Sequence, residues 1–244
     1  MTWAPQLEAV ARIASSEERI AQYTRLLEHA LHDTPSASLP SLVRTYVDGA
    51  VLDPVNTTGA GLLVGRHMLA HLATQLAAAH IPANILCTIV SDTLASCEAS
   101  SIMGDDELGP WRVLLAEQYA SLSRWRDAAQ ALQSITPHAA RRIPQLSFAQ
   151  LCVRVVELWL HDLPSHVAEA EQAIKRANSA ILDERDNKAL VHELWSYHAR
   201  VLAIQHRFME AAARYMDLPH ADMYAAVYAI ISPPSAQRTS MLTR

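Results

Sequence analysis

The segment Trp125-Arg-Asp-Ala-Ala-Gln-Ala-Leu132 decides the fold, because its apolar spacing returns twice further along the chain. In each copy a large apolar residue is followed three positions later by alanine and four positions after that by a second large residue. The second copy begins at Val167, 42 residues after Trp125, and the third at Phe208, 41 residues further on. Helical spacing puts the three positions on one face, where the alanine lets a neighbouring helix approach closely. The nine repeat-packing positions predicted in this way are Trp125, Ala128, Leu132, Val167, Ala170, Ile174, Phe208, Ala211 and Tyr215.

The segments before the three copies are apolar and are predicted to be helices, over residues 111–122, 146–160 and 190–204. Each repeat is therefore a helix–turn–helix unit of about 42 residues, which cannot bury its apolar face alone and must stack on its neighbours. We predict an all-α fold, a right-handed α-solenoid of TPR-like (tetratricopeptide-like) repeats. An N-terminal helical arm is predicted over 1–109 and the repeats over 110–244. The alternative is a chance recurrence among alanine-rich helices.

The composition supports helices and argues against several classes of protein. The chain of 244 residues has six glycines, the last of them Gly109, which argues against a hairpin-rich sheet and against phosphate-binding loops in the second half. A net charge of −5 argues against a surface for nucleic acid or anionic lipid. The scattered cysteines Cys87, Cys97 and Cys152 indicate a reducing compartment. Arginine and histidine interrupt the most apolar stretch, 62–81, and no signal peptide is recognisable, so we expect a soluble intracellular protein.

Helix start and stop signals organise the first half of the chain. Ser15 and Glu18 have the spacing of a capping box, which predicts a helix from there to about residue 32. Further helices are predicted over 41–52, 62–80 and 83–100. Residues 103–110, with three acidic side chains between glycine and proline, are predicted to form a loop.

No arrangement typical of a catalytic, cofactor-binding or metal-binding site is found in the sequence. Among twelve histidines, His67 and His71 have helical i, i+4 spacing, but Met68 stands where a zinc metalloprotease needs glutamate. The stretch Gly59–Gly65 resembles a dinucleotide loop, but no strand precedes it, so a loop leading into a helix is predicted. Cys87 lies in an apolar helical pattern that favours a buried thiol. We expect no cofactor, no metal and no enzymatic activity. The alternative is an enzyme whose site is assembled on the concave face of the solenoid.

Arginines cluster in two predicted inter-helix segments. Arg124 and Arg126 lie at the first repeat's turn, and Arg141 and Arg142 lie in the loop that follows. Because the loops of a solenoid line its edges, these four residues are candidates for contact with an acidic partner surface. The alternative is that they are solvated turn residues.

Four stretches of the second half resemble a known family in their order and spacing. They are WRDAAQAL at 125–132, AEQAIKRA at 170–177, the pair YHARVL and RFMEAAARY within 197–215, and AQRTSML at 236–242. Together they are similar to the subunit-4 family of the COP-nine (constitutive photomorphogenesis 9) signalosome. Its helical repeats lead into a PCI (proteasome–COP–initiation-factor) winged helix. The resemblance covers about residues 110–242 well and the first hundred residues only in helical pattern.

The resemblance implies a non-catalytic scaffold in the cytoplasm and nucleus. Its implied partners are other signalosome subunits and cullin–RING ubiquitin ligases, contacted at the RING and the cullin C-terminal region. The complex removes a ubiquitin-like modifier from the cullin, at a metalloprotease site that belongs to another subunit. Because family members are longer, the winged-helix part is expected to be absent here, and the chain alone is expected to be monomeric. The corresponding subunit of the proteasome lid is the alternative within the same architecture. A nucleic-acid-binding repeat protein is disfavoured by the charge.

Overall fold

The computed structural model describes residues 3–141, 143, 147–181, 187–219 and 221–242, and for Ala60 the backbone only. These residues form α-helices joined by short turns and contain no β-strand, which confirms the predicted all-α class. The chain divides into two compact units, residues 1–145 and residues 146–244. The repeats are predicted to start at residue 110, which lies inside the first of these units. That boundary stays a prediction.

The second helix of the first unit begins at a capped residue. The Ser15 side chain accepts a hydrogen bond from the Glu18 N–H at 3.4 Å, as the capping spacing predicts, and the helix runs to Asp33. In chain order the helices are α1 (Ala4–Ala11), α2 (Ser16–Asp33), α3 (Leu39–Tyr46), α4 (Pro54–Thr57), α5 (Leu62–Ala78), α6 (Ala83–Ser100), α7 (Asp105–Ser121), α8 (Trp125–Gln133) and α9 (Pro137–Ala140). A π-helical turn, Val47–Val51, continues α3, and 3-10 turns precede α3 and α5 at Ser36–Ser38 and Gly59–Gly61.

The prediction of an acidic loop over residues 103–110 is wrong, because these residues begin α7. Gly104 is the N-cap, and its N–H donates to the Glu107 carboxylate at 3.0 Å. The three acidic residues fill the first turn, where the helix dipole favours negative charge. Pro110 lies one turn further in, where it removes a helical hydrogen bond without ending the helix.

A buried polar network joins α2 to the chain before α5. The Arg19 guanidinium, 5% exposed, donates to Asn56 Oδ1 at 2.9 Å and to Ser16 Oγ at 3.2 Å. The Asn56 amide is fully buried and donates to the Ala50 carbonyl at 3.0 Å and to the Tyr23 hydroxyl at 3.2 Å. No carboxylate among the described residues forms an ion pair with Arg19, so Asn56 supplies its main buried acceptor.

The second unit is built of helical hairpins. Its described helices are α10 (Phe148–Leu160), α11 (Val167–Ala180), α12 (Lys188–Ile204), α13 (Phe208–Met216), α14 (Asp222–Ile231) and α15 (Ala236–Leu242). Each helix packs on the next, and α10 also packs on α12, which stacks one hairpin on the following one. This is the packing predicted for helical repeats. No helix in the described part of the chain is both long and apolar enough to cross a membrane.

Candidate functional site

The turn between α7 and α8 fixes the first repeat. Ser123 has a left-handed backbone with φ of 58°, and its N–H donates to the Ala120 carbonyl at 3.0 Å. The Arg124 N–H donates to the Tyr119 carbonyl at 2.8 Å. These two bonds form a Schellman motif, in which glycine is the usual left-handed residue. Arg124 is then the N-cap residue of α8.

The same turn joins α12 to α13. His206 has φ of 60° and donates its N–H to the Ala203 carbonyl at 3.1 Å. The Arg207 N–H donates to the Leu202 carbonyl at 2.9 Å, and Arg207 is the N-cap residue of α13. The two hairpins therefore share backbone geometry as well as apolar spacing. The sequence does not reveal this likeness, because neither turn contains the glycine that usually marks the motif.

A basic N-cap residue and an acidic residue three positions later recur in all three copies. The three pairs are Arg124–Asp127, His166–Glu169 and Arg207–Glu210, at 2.7, 3.4 and 2.8 Å. The acid of each pair lies in the first turn of its helix, where the dipole favours it. The hydrogen bond from Arg207 lowers the pKa of the Glu210 carboxyl, and the hydrogen bond to Asp127 raises the pKa of Arg124. The repeated pair therefore marks the start of the second helix in each copy.

The repeat-packing positions fall into three groups by burial. The three alanines have no exposed surface, the last apolar residue of each copy is buried, and the first is half-buried. These groups are Ala128, Ala170 and Ala211; Leu132, Ile174 and Tyr215; and Trp125, Val167 and Phe208. In each copy the alanine N–H also makes the first helical hydrogen bond, to the carbonyl of the N-cap residue. The helices that carry them pack on the preceding helix of their hairpin, α8 on α7, α11 on α10 and α13 on α12.

Replacing Ala170 by leucine is expected to lower the free energy of unfolding by about 2 kcal/mol, because three added carbons must fit where the alanine side chain is fully enclosed. The matched control is Ala168→Leu, an exposed position on the same helix, which should change stability by less than about 0.5 kcal/mol. Denaturant unfolding followed by circular dichroism measures both. Equal stabilities of the two variants would contradict close packing at Ala170.

The candidate contact arginines differ in how far their charge is already neutralised. Arg124 is half-exposed, but it pairs with Asp127 and lies over the Tyr119 ring at 4.4 Å. Arg126 in α8 and Arg141 after α9 are exposed, and neither forms an ion pair with any residue that the structure describes. Arg142 lies outside the described residues. Because α8 and α9 both pack on α7, Arg126 and Arg141 belong to the surface of one helical group.

The next candidates are the three buried thiols, as nucleophiles, and the histidines, as metal ligands. Burial raises the pKa of Cys97 to about 11 and also raises the pKa values of Cys87 and Cys152, so these thiols stay protonated near neutral pH. No group of three His, Cys, Asp or Glu side chains that could hold a metal ion is found within the described ranges. On the α5 face His67 is exposed and His71 half-buried.

Stacked hairpins with a recurring turn and enclosed alanines define this chain as an all-α helical-repeat protein, a class that uses its surface for protein contacts. No family model matches the chain. Over 97% of its length, it is 29% identical to COP9 signalosome complex subunit 4 of Caenorhabditis elegans. It is 25% identical to the proteins of the same name from Arabidopsis thaliana and Drosophila melanogaster, over 86% and 84% of its length.

These relatives come from a worm, a plant and a fly, and they confirm the resemblance to subunit 4 of the COP9 signalosome. The match also reaches into the first half of the chain, which the sequence motifs alone relate to the family only by helical pattern. The chain spans 61% of the length of the worm protein and about half of the length of the other two, 49% and 48%.

Proposed function

We propose that the chain is a non-catalytic scaffold of a signalosome. It would position cullin–RING ubiquitin ligases for removal of their ubiquitin-like modifier, known as deneddylation, and relay their engagement to the catalytic pair of subunits. The observation that carries this proposal is the similarity to subunit 4 of three signalosomes. In the comparison with the worm protein, the similarity extends over 97% of this chain. We place the protein in the cytoplasm and nucleus, as the resemblance implies.

The helical repeats support a positional role. Each of the three hairpins has a paired N-cap residue and an enclosed alanine, and two of them share a Schellman turn, so the repeats present their edge turns on a recurring framework. A framework of this kind offers a large contact surface without chemistry of its own. Its partners would be the other signalosome subunits and the RING and cullin C-terminal region of the ligase.

Arg126 and Arg141 are the best candidates for contact with an acidic ligase surface. Both are exposed and lack an ion-pair partner in the described part of the chain, so a partner carboxylate would not have to displace an internal one. Charges at the rim of an interface act mainly on the association rate and its salt dependence. Arg124 would contribute less, because Asp127 already neutralises it.

The test is affinity purification with the full chain as bait, comparing the wild type with Arg126→Glu/Arg141→Glu. We expect the wild type to retain cullin–RING ligases and signalosome subunits, and the variant to retain roughly tenfold less ligase, a loss of about 1.4 kcal/mol in binding. The control is Arg12→Glu/Arg25→Glu, which reverses two other exposed arginines of the same unit and should bind normally.

Recovery of proteasome-lid proteins in place of signalosome subunits would overturn the proposed function. Equal ligase binding by the two double variants would leave the scaffold role standing and reject the arginine contact. Added salt should weaken wild-type binding more than binding of the Arg126→Glu/Arg141→Glu variant, because the wild type has more charge to screen.

A further inference from the structure

Arginine supplies almost all of the positive charge of this chain. Of the 20 lysines and arginines in its 244 residues, two are lysines, Lys175 and Lys188, and residues 1–174 contain none. The two side chains differ in chemistry as well as in shape. The lysine amine can lose its proton and act as a nucleophile, whereas the arginine guanidinium stays protonated in proteins and does not. Amine nucleophiles on side chains are therefore confined to two positions, both in the second unit.

The Lys175 side chain lies on the outer side of α11. The preceding residue, Ile174, is buried, whereas Lys175 is exposed. The carboxylate one turn earlier, Glu171, accepts a hydrogen bond from Gln205 Nε2 at 2.9 Å and lies 3.7 Å from Arg207 Nη1. Because that carboxylate is engaged by the turn between α12 and α13, it does not hold the Lys175 amine. Lys175 makes no ion pair with any residue that the structure describes.

Lys188 is the first residue of α12. It is exposed, while Val191 and Leu194 on the inner side of the same helix are buried. Within the described ranges, no carboxylate forms an ion pair with Lys188. Both lysine amines can therefore be approached from solvent, and neither has to leave a described internal partner before it reacts.

The cysteines do not compete with these amines. Cys87, Cys97 and Cys152 are buried, and burial raises the pKa of each thiol above its ordinary value. Serine and threonine hydroxyls are weak nucleophiles unless a base activates them. An acyl donor that reaches the surface of the chain therefore meets its most reactive side chains at Lys175 and Lys188.

We propose that Lys175 and Lys188 are the sites at which ubiquitin is attached to this chain. The inference rests on the proposed function, because that function places the chain beside a ubiquitin ligase. Ubiquitin arrives as a thioester between its C-terminal carboxyl group and a cysteine of a conjugating enzyme. The neutral lysine Nζ attacks the thioester carbonyl carbon, a C–N bond replaces the C–S bond, and the leaving thiolate takes up the proton that the amine releases. The step needs no oxidant or reductant.

The same distribution lets the first unit contact an active ligase without becoming its substrate. Arg126 and Arg141, the candidate contact residues of that unit, supply positive charge, but a guanidinium does not accept the ubiquitin acyl group. Attachment to side chains is thereby directed to the second unit, and the surface proposed to bind the ligase stays unmodified.

Transfer of ubiquitin from its conjugating-enzyme thioester to the full chain tests the acceptor sites, first without a ligase and then with a cullin–RING ligase added. Trypsin leaves a diglycine on each modified lysine, which mass spectrometry locates. We expect diglycine at positions 175 and 188 in both reactions. The variant Lys175→Arg/Lys188→Arg should give at least about tenfold less conjugate, because it keeps both charges and removes both amines. Circular dichroism shows that each variant is folded.

The matched control restores one amine at a different place. In Lys175→Arg/Lys188→Arg/Arg25→Lys, an exposed arginine of α2 is exchanged for an amine without a change of charge. Conjugation should return, now at position 25. A triple variant that stays unconjugated would contradict the inference that the first unit is inert only because it has no lysine.

Conjugation chiefly at the amino terminus or on hydroxyl groups overturns the assignment of the two lysines. A double variant conjugated as well as the wild type overturns it too, as does a wild type that gives no conjugate in either reaction. The ligase tests the proposed function separately. Faster conjugation with the ligase supports contact with it, whereas equal rates contradict that contact even when the diglycine is found at positions 175 and 188.

Discussion

Replacement of Asn56 by leucine is expected to lower the free energy of unfolding of the first unit by about 3 kcal/mol. The two side chains are similar in size, so the change removes hydrogen bonds while leaving little cavity. The Arg19 guanidinium loses its 2.9 Å acceptor while it remains buried, and the Ala50 carbonyl and Tyr23 hydroxyl lose a donor. Ser16 Oγ remains as an acceptor at 3.2 Å, but a buried cation that loses its main acceptor is more costly than a lost surface bond. Denaturant unfolding, with hydrogen exchange of α2 amides as the local readout, measures the loss.

The control for this change is Asn84→Leu, the same substitution at an exposed position of α6, which should alter stability by less than about 0.5 kcal/mol. A second variant, Asn56→Leu/Arg19→Met, removes both partners of the buried bond. It should recover roughly 1–2 kcal/mol of the loss, because the unpaired charge is gone. A double variant that is less stable than Asn56→Leu would show that Arg19 contributes by its packing rather than through Asn56.

Replacement of Gly61 by alanine is expected to lower the free energy of unfolding by about 3 kcal/mol. A Cβ atom at Gly61 would lie 1.8 Å from the Val55 carbonyl oxygen and 3.1 Å from Asn56 Cα. Both are backbone atoms, so the clash cannot be relieved by a side-chain rotation. The chain before α5 must move, and it carries Asn56 with it. Thermal unfolding gives the loss, and hydrogen exchange should locate it in α2 and α5.

Gly59 provides the matched control, two residues earlier in the same turn. A Cβ atom there meets no other atom within 4 Å, but φ is +54°, in the left-handed region. Gly59→Ala should therefore cost about 1 kcal/mol from backbone strain alone. The order of the two losses is the critical result. If Gly59→Ala is the more destabilising variant, the close approach at Gly61 is not what holds this turn.

The sequence predicts most helices of the first unit because their signals are local. Ser15 lies three residues before Glu18, and the helix starts there. The helices predicted over 62–80 and 83–100 are found at Leu62–Ala78 and Ala83–Ser100. The helix predicted over 41–52 is instead a shorter α3 and a π-helical turn. Acidic residues between Gly104 and Pro110 fit both a loop and a helix start, and the structure shows a helix start at Asp105.

The candidate contact residues were predictable only in part. The two clusters of arginines are visible in the sequence. Whether the charge of each arginine is neutralised depends on its neighbours in the fold, as with Arg124 and Asp127. Helix α14 is a related case. Its alanines and large apolar residues are typical of a core helix, and only the fold shows that Ala225 and Ala229 are buried in the described part of the chain.

The sequence by itself determined the all-α class, the period of the repeats and the relation to signalosome subunit 4, because helix propensity, apolar spacing and recurring segments are properties of residues near one another in the chain. The tertiary structure alone decided that Arg19 is buried on Asn56, that Ser123 and His206 make glycine-free Schellman turns, and that Ala225 and Ala229 are the buried residues of α14. Each of these depends on residues brought together from distant parts of the chain or on backbone angles that no local pattern specifies. Burial and hydrogen-bond pairing are set by those contacts.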